Sequence, residues 1–390
     1  MTKLFHRAAR RTAAGAALAL VATGTALVAA PAGAANDMLT YSCDSPQLTG
    51  DPYVVPAAID TNAPPTLASG SSATITTTAA LTLPAGLANE LRGFGVTSVD
   101  GNATAQLTVD GVQRQTNLTI PSTAVPPTIG TTITVVGSGP SGSITGGAAG
   151  TSIVLGAGGF TANLTGRNAG GVVNTYVLTC TPLQPENLRV VDTVSVVKAP
   201  TTVTLTVLEP PVEYGEQATV TAVVASTASN KKPDGTVEFT FGGTTIKVEV
   251  KGGKATAIFP PALDLGMQQV TAVFTPTDPN LAPSTATRNF RVVRDQTTTE
   301  AAAVYRALRD RLVAKAKVFA DHDTEVSGSV RFVLKRNGVK IRTATKLLNE
   351  FDKAKKVFRN VDKRGQYTVV ARYLGSDTLK RSVDRAKLKI

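Results

Sequence analysis

Short runs in which apolar and polar residues alternate dominate the chain beyond its N-terminal segment. The first half carries "ATITTTAALTLP", "ATAQLTVDG" and "TTITVVGSG". Further on, "QATVTAVV" puts Ala218, Val220, Ala222 and Val224 on one face, with Thr219 and Thr221 on the other. "GTVEFTF" sets Val237, Phe239 and Phe241 inward, "GKATAIF" Ala255, Ala257 and Phe259, and "QVTAVF" Val270, Ala272 and Phe274. Successive side chains of a strand point to opposite faces, so each run predicts a half-buried β-strand. Turn residues (Pro64-Pro65, Asp100-Gly101, Asp110-Gly111, Pro126-Pro127) punctuate residues 36–185 at the spacing of an all-β sandwich or barrel. We take this unit as a Thr/Gly-rich β-sandwich domain. "LPAGLANELRGFG", 83–95, is its one candidate helix, and "LQPENLRVVDTVSVVKAP" reads as a connector, with a linker over 186–200.

The alternation then repeats. "GSVRFVL" (328–334) matches "GTVEFTF" (235–241) at an offset of 93, and "GQYTVVARY" (365–373) matches "GMQQVTAVF" (266–274) at an offset of 99. Asp278 and Asp377 keep the second offset. Two β units in tandem, 201–293 and 296–390, follow. "TEAAAVYRALRDRLVAKAKVF" conflicts with this, since its Ala, Leu, Arg and Lys favour helix. Alternation in "LVAKAKVFA" predicts strand from Leu312 onward and leaves 300–310 open between strand and helix.

A chain of 390 residues accommodates such an arrangement. Lys3, Arg7, Arg10 and Arg11 precede an uncharged run closing on Ala32-Gly33-Ala34, which predicts a cleaved signal peptide over 1–35 and a secreted product with no membrane span. The alternative, an uncleaved anchor, fits the Ala/Gly richness and small-x-small site less well. The two cysteines, Cys43 and Cys180, sit in strand-like "LTYSC" and "NTYVLTC", and an even count in an exported chain reads as one disulfide. Neither has His, Asp or Cys at ligand spacing to support a metal pair.

At this point the quoted runs resemble a known family. "TTVTLTV", "PVEYGEQATVTAVV", "GTVEFTF", "GGKATAIF", "GMQQVTAVF" and "APSTA" follow the order of a bacterial Ig-like repeat domain over 201–293. Residues 296–390 resemble a divergent copy with Leu308-Arg309 in place of the Tyr-Gly of "VEYGE". Residues 38–182, from "LTYSCDSP" to "YVLTCTP", are similar to an actinobacterial secreted domain family of uncharacterised function. The resemblances imply tandem Ig-like β-sandwiches of extracellular, often surface-associated proteins, and no catalytic residues.

The residues themselves offer little catalytic chemistry. Gly137-Ser-Gly-Pro-Ser-Gly142 fits GxGxxG, but Pro140 and "SITGGAAG" deny the required helix, and no acid lies between Asp110 and Glu186; a glycine-rich turn is expected. His322 is the only histidine besides His6, and its loop "ADHDTEVSG" lacks an EF-hand's glycine and twelfth-position glutamate, where Val326 and Phe332 stand. It reads as a solvated turn. We assign no catalytic residue, cofactor or metal. With no Trp in the chain, an aromatic sugar platform is not expected either.

Charge changes this picture. Residues 36–199 carry net −4 and 200–295 net −1, whereas 296–390 hold 23 bases against 10 acids. The closing "RAKLKI" alternates apolar with cationic residues. If "GSVRFVL", "GVKIRT", "YTVVARY" and "RAKLKI" share one sheet, alternation sends Val330, Phe332, Leu334, Val339, Ile341, Val369, Ala371, Tyr373, Leu388 and Ile390 inward. It sends Arg331, Lys340, Arg342, Arg372, Lys387 and Lys389 outward as an anion-binding face. The chain thus reads as a secreted, non-catalytic, cell-surface-associated module whose cationic C-terminal domain docks on an anionic wall or surface polymer, with no specific nucleic acid partner. The competing readings are a solvated face with aggregation-blocking edge lysines, and a first domain that recognises a small molecule or glycan. Sequence does not fix the oligomeric state.

Overall fold

The computed structural model describes residues 38–390 apart from 51, 209–210, 229–231, 262 and 362–363; the expected signal segment 1–35 lies outside the described residues. The first unit comprises β1 (Leu39–Asp44), β2 (Tyr53–Thr61), β3 (Thr66–Ala68), β4 (Ser72–Leu83), β5 (Ser98–Val109) and β6 (Val112–Ala124). It continues with β7 (Ile133–Thr145), β8 (Ser152–Asn168), β9 (Gly171–Pro182) and β10 (Val190–Val197). Helix α1 (Ala85–Gly93) falls where the sequence placed it and buries Leu87, Ala88 and Leu91.

The strands pair around a ring in the order β8-β5-β6-β7-β4-β2-β1-β9, and β9 pairs back onto β8. The first unit is therefore a closed barrel, which corrects our reading of it as a β-sandwich; the turn spacing alone allowed either form. Its β6–β7 join holds a single register pair, Thr119↔Ser138. The glycine-rich stretch explains how that join is made, and it corrects our reading of a turn: Gly137–Gly142 lies within β7. A Cβ at Gly139 would fall 2.0 Å from the Asn117 carbonyl oxygen of β6, so only glycine permits this approach. Pro140, which has no amide hydrogen, interrupts the ladder beside it. Side chains close the gap instead. The Ser141 hydroxyl bonds those of Thr77 (2.7 Å) and Thr116 (2.9 Å), Thr116 Oγ1 donates to Pro140 O (2.9 Å), and Arg114 Nη1 donates to Ser143 O (2.7 Å).

The connector expected over 186–200 is also corrected. β10 pairs antiparallel with β8 and parallel with β3, and it buries Val191, Asp192, Val194 and Val196. The alternation of "VVDTVSVV" is that of any half-buried strand. Cys43 and Cys180 form the expected disulfide, facing each other in register on β1 and β9, and both are buried.

The second unit contains β11 (Thr201–Val207), β12 (Val212–Glu213), β13 (Ala218–Ser226), β14 (Gly235–Phe241), β15 (Thr244–Glu249), β16 (Lys254–Phe259), β17 (Gly266–Pro276) and β18 (Ser284–Val293). They form two facing sheets, β11-β13-β16 and β12-β18-β17-β14-β15. The inward residues read from the alternation are all buried in its core, where Phe241 packs edge-on against Phe259.

The third unit repeats the plan with β19 (Thr297–Arg306), β20 (Arg311–Ala320), β21 (Ser329–Arg336), β22 (Val339–Leu347), β23 (Lys353–Arg359), β24 (Gln366–Tyr373) and β25 (Ser382–Lys389). Its sheets are β19-β20-β23 and β22-β21-β24-β25. Residues 300–306 are strand: β19 pairs along its whole length with β20, and tertiary pairing outweighs helix propensity.

Both junctions between units use one device. A linker residue forms a parallel bridge to the loop ahead of the next unit's last strand: Ala199 to Leu281, and Asp295 to Leu379. Asn280 O accepts from the Ala199 amide and Thr378 O from the Asp295 amide, while the linker carbonyls accept from Ala282 and Lys380.

Candidate functional site: a cationic sheet face and a charged junction

The anion-binding face expected from the sequence lies on the sheet β22-β21-β24-β25. Register places Arg331 beside Arg372, and Thr368 between Lys335 and Lys387. Arg331, Lys340, Arg372, Lys387 and Lys389 are exposed. The structure adds Lys335, two residues along β21 from Val333, and exposed Arg385, paired with Val370. The same alternation carried both additions. Among the described residues no carboxylate lies within ion-pair distance of any of these cations. The acid of β25, Asp384, points to the other side, where its Oδ2 accepts from the Ala301 amide at 2.8 Å.

Arg342 does not belong to this face. A β-bulge between Leu334 and Lys335 shifts the register of β22, so that Arg342 pairs with Leu334, an inward position. Its guanidinium donates instead to the carbonyl oxygens of Arg359 and Asn360. Ile341 is the extra residue of that bulge, and Val339 lies opposite Arg336 at the hairpin end of this edge strand; at 43% and 67% exposed, both depart from the inward assignment. Val330, Phe332, Leu334, Val369, Ala371 and Tyr373 are buried as expected, and Leu388 and Ile390 pack partly buried against them.

A second charged group, missed in the sequence, sits where the second and third units meet. Asp295 is fully buried; its Oδ1 lies 2.8 Å from His322 Nδ1, and its Oδ2 accepts from the His322 amide at 3.2 Å. Glu213 Oε1 accepts from Lys380 Nζ (2.8 Å) and Oε2 from the Gln296 amide (3.1 Å). His322 is thus a half-buried tie between units rather than the solvated turn expected. The hydrogen bond to Asp295 holds its pKa above the ordinary imidazole value, helped by the charges of Asp295, Glu216 and Glu213 against the opposing effect of burial. Ligand atoms of Glu213, Asp295 and His322 lie within 4.8 Å of one another, a set that could hold a metal ion. The carboxylate oxygens are already satisfied by donors, and the Lys380 ammonium supplies the positive charge, so we assign no metal here. The signal was present: Asp295 lies one residue before the repeat begins, at the position Ala199 holds in the first junction.

Inside the first unit, Tyr41, Ala57, Leu81, Leu118 and Phe160 line a largely apolar cavity of about 30 Å³. Small-molecule sites run to about 300–1,000 Å³. No helix among the described residues is long and apolar enough to cross a membrane.

Comparison with known proteins agrees with this architecture. Residues 205–293 match the bacterial Ig-like domain (group 3), and residues 40–191 match a family of unknown function (DUF6801). The resemblances read from those two segments are thereby shown, and the second match runs into β10. No curated protein matches the chain. Among solved structures, a putative membrane anchored protein from Corynebacterium diphtheriae aligns over 90% of this chain and 94% of its own, at 13% identity and a TM-score of 0.29. A Ca²⁺-stabilised adhesin of an Antarctic bacterium aligns over 80% of this chain and 93% of its own, at 14% identity and a TM-score of 0.24. At these scores neither likeness bears on function.

Proposed function

We propose that this protein is an exported, non-catalytic Ig-like module held at an anionic cell-surface polymer by its third unit. The observation that carries the reading is the sheet β22-β21-β24-β25, whose exposed cations have no ion-pair partners among the described residues. Unpaired charges of one sign on a flat face raise the local concentration of polyanions and speed their capture. The equivalent sheet of the second unit lacks this character: Glu238 there pairs with Lys247 at 3.2 Å, and Thr236, Thr240 and Thr271 occupy its outward positions. The first unit's small interior cavity does not favour recognition of a small molecule.

The test is binding of the purified protein to duplex DNA, used as a generic phosphate polymer, across a salt series. Affinity should fall with a log–log slope near −0.9 per phosphate neutralised. The variant Arg331→Ser/Arg372→Ser/Lys387→Ser should bind more weakly and with a shallower slope. Equal binding by that variant, or indifference of the wild type to salt, refutes the docking face.

A further inference from the structure

The other sheet of the third unit carries a second cationic surface. Across β20 and β23 the register sets Arg311 opposite Arg359, Lys315 opposite Lys355, and Lys317 opposite Lys353. The inward residues of these strands, Leu312, Ala314, Ala316, Ala354 and Phe358, lie in the core, so alternation puts all three like-charge pairs on the outer face. Val313 and Val357 form the intervening pair. Like charges directly opposite each other weaken a sheet. Glu300, opposite Lys317, is the one acid in register with the three pairs.

Two bland explanations fall short. Blocking of edge-to-edge aggregation puts lysines on edge strands, which accounts for Lys353 and Lys355 on the edge strand β23 but not for Lys315 and Lys317 on β20, the central strand of β19-β20-β23. A requirement of the fold fails too, since the second unit fills the corresponding sheet without cation pairs. Its β13–β16 outer face sets Thr219 opposite Ile258 and Thr221 opposite Thr256, whose hydroxyls bond at 3.0 Å.

We propose that the third unit binds polyanion on both sheet faces and so bridges two strands of a phosphate-bearing polymer; this rests on the docking reading above. Four of the six cations of the second face are lysines, compact point charges that bind phosphate oxygens without needing a planar, bidentate partner. Stacked sheets lie about 10 Å apart, and outward side chains add to that separation. Two polymers on opposite faces are then more than the Debye length of about 8 Å apart at physiological salt, so their mutual repulsion is screened and both faces fill together.

The experiment is capture of a fluorescent DNA duplex from solution by protein already bound to a second duplex on beads, with light scattering confirming a monomeric protein. Wild type should hold the bead duplex and capture the free one. Lys315→Thr/Lys317→Thr/Lys353→Thr/Lys355→Thr, which gives the second face the threonines of its sister unit, should still bind the beads but lose at least tenfold in capture. Its thermal midpoint should equal or exceed the wild type's, because opposed charges are gone. Should those substitutions disturb folding, Lys315→Gln/Lys355→Gln serves the same comparison. Bead binding by wild type with no capture, or undiminished capture by the threonine variant, overturns the bridge and leaves the docking face standing. Absence of bead binding by wild type overturns both.

Discussion

Removal of the Cys43–Cys180 disulfide is the perturbation whose size the structure fixes best. The bond joins β1 to β9 across a sequence separation of 137. In the chain-entropy account, cross-linking a loop of that length raises the free energy of the unfolded chain by about 5 kcal/mol. Both cysteines are buried, so Cys43→Ala/Cys180→Ala removes the link without leaving an unpaired hydroxyl inside. With a urea m-value of about 2 kcal/mol/M, typical of a small domain, the midpoint of the first unit should fall by roughly 2.5 M. Urea titrations can be followed by tyrosine emission, because the chain has no tryptophan and the first unit holds Tyr41, Tyr53 and Tyr176. The second and third units contain no cysteine, so their transitions should stay in place and serve as an internal control. A fall below about 0.5 M with unchanged m would refute the entropic reasoning, because a link that constrains so long a loop cannot then be limiting the unfolded ensemble.

Two further outcomes follow from the ring and the junction. Gly139→Val should destabilise the first unit by about 3 kcal/mol or more, since its side chain must displace the Asn117 carbonyl; chemical unfolding reads the loss, and an unchanged midpoint would mean that β6 and β7 do not meet there. His322 has its folded pKa raised, so the tie to Asp295 contributes stability that is complete below the ordinary imidazole range and is lost as pH rises through the folded value. The thermal midpoint of the third unit should therefore decline from pH 5.5 to 8.5. The decline should be absent in His322→Gln; a wild-type profile as flat as the variant's would refute the tie.

Much of the architecture was legible because it depends on alternation alone. Phe239, Phe274, Phe332 and Tyr373 lie inside for the same reason that Arg331 and Arg372 lie outside. What alternation does not carry is pairing. A bulge at Leu334–Lys335 moved Arg342 and Ile341 against expectation, and nothing in "KRNGVKIRT" marks it, while Val339 is exposed because it ends an edge strand. The opposed Arg311/Arg359 and Lys315/Lys355 pairs were equally hidden, since each strand shows its own charges but not which charges face them. Asp295 escaped notice because a buried carboxylate is explained only by its distant partner, His322.

The closed first unit has an asymmetry that follows from where its two special joins fall. Starting at the β6–β7 join, the ring runs through β5, β8 and β9 on one side and through β4, β2 and β1 on the other, so the disulfide sits diametrically across from it. The unit is in effect a clamshell: two four-stranded valves hinged by a covalent bond, with lips held by a few hydroxyls and one register pair. Any breathing must begin at the lips, because the hinge cannot part. Backbone amides around Asn117–Thr119 and Ser138–Ser141 should then exchange with solvent long before those around Cys43 and Cys180.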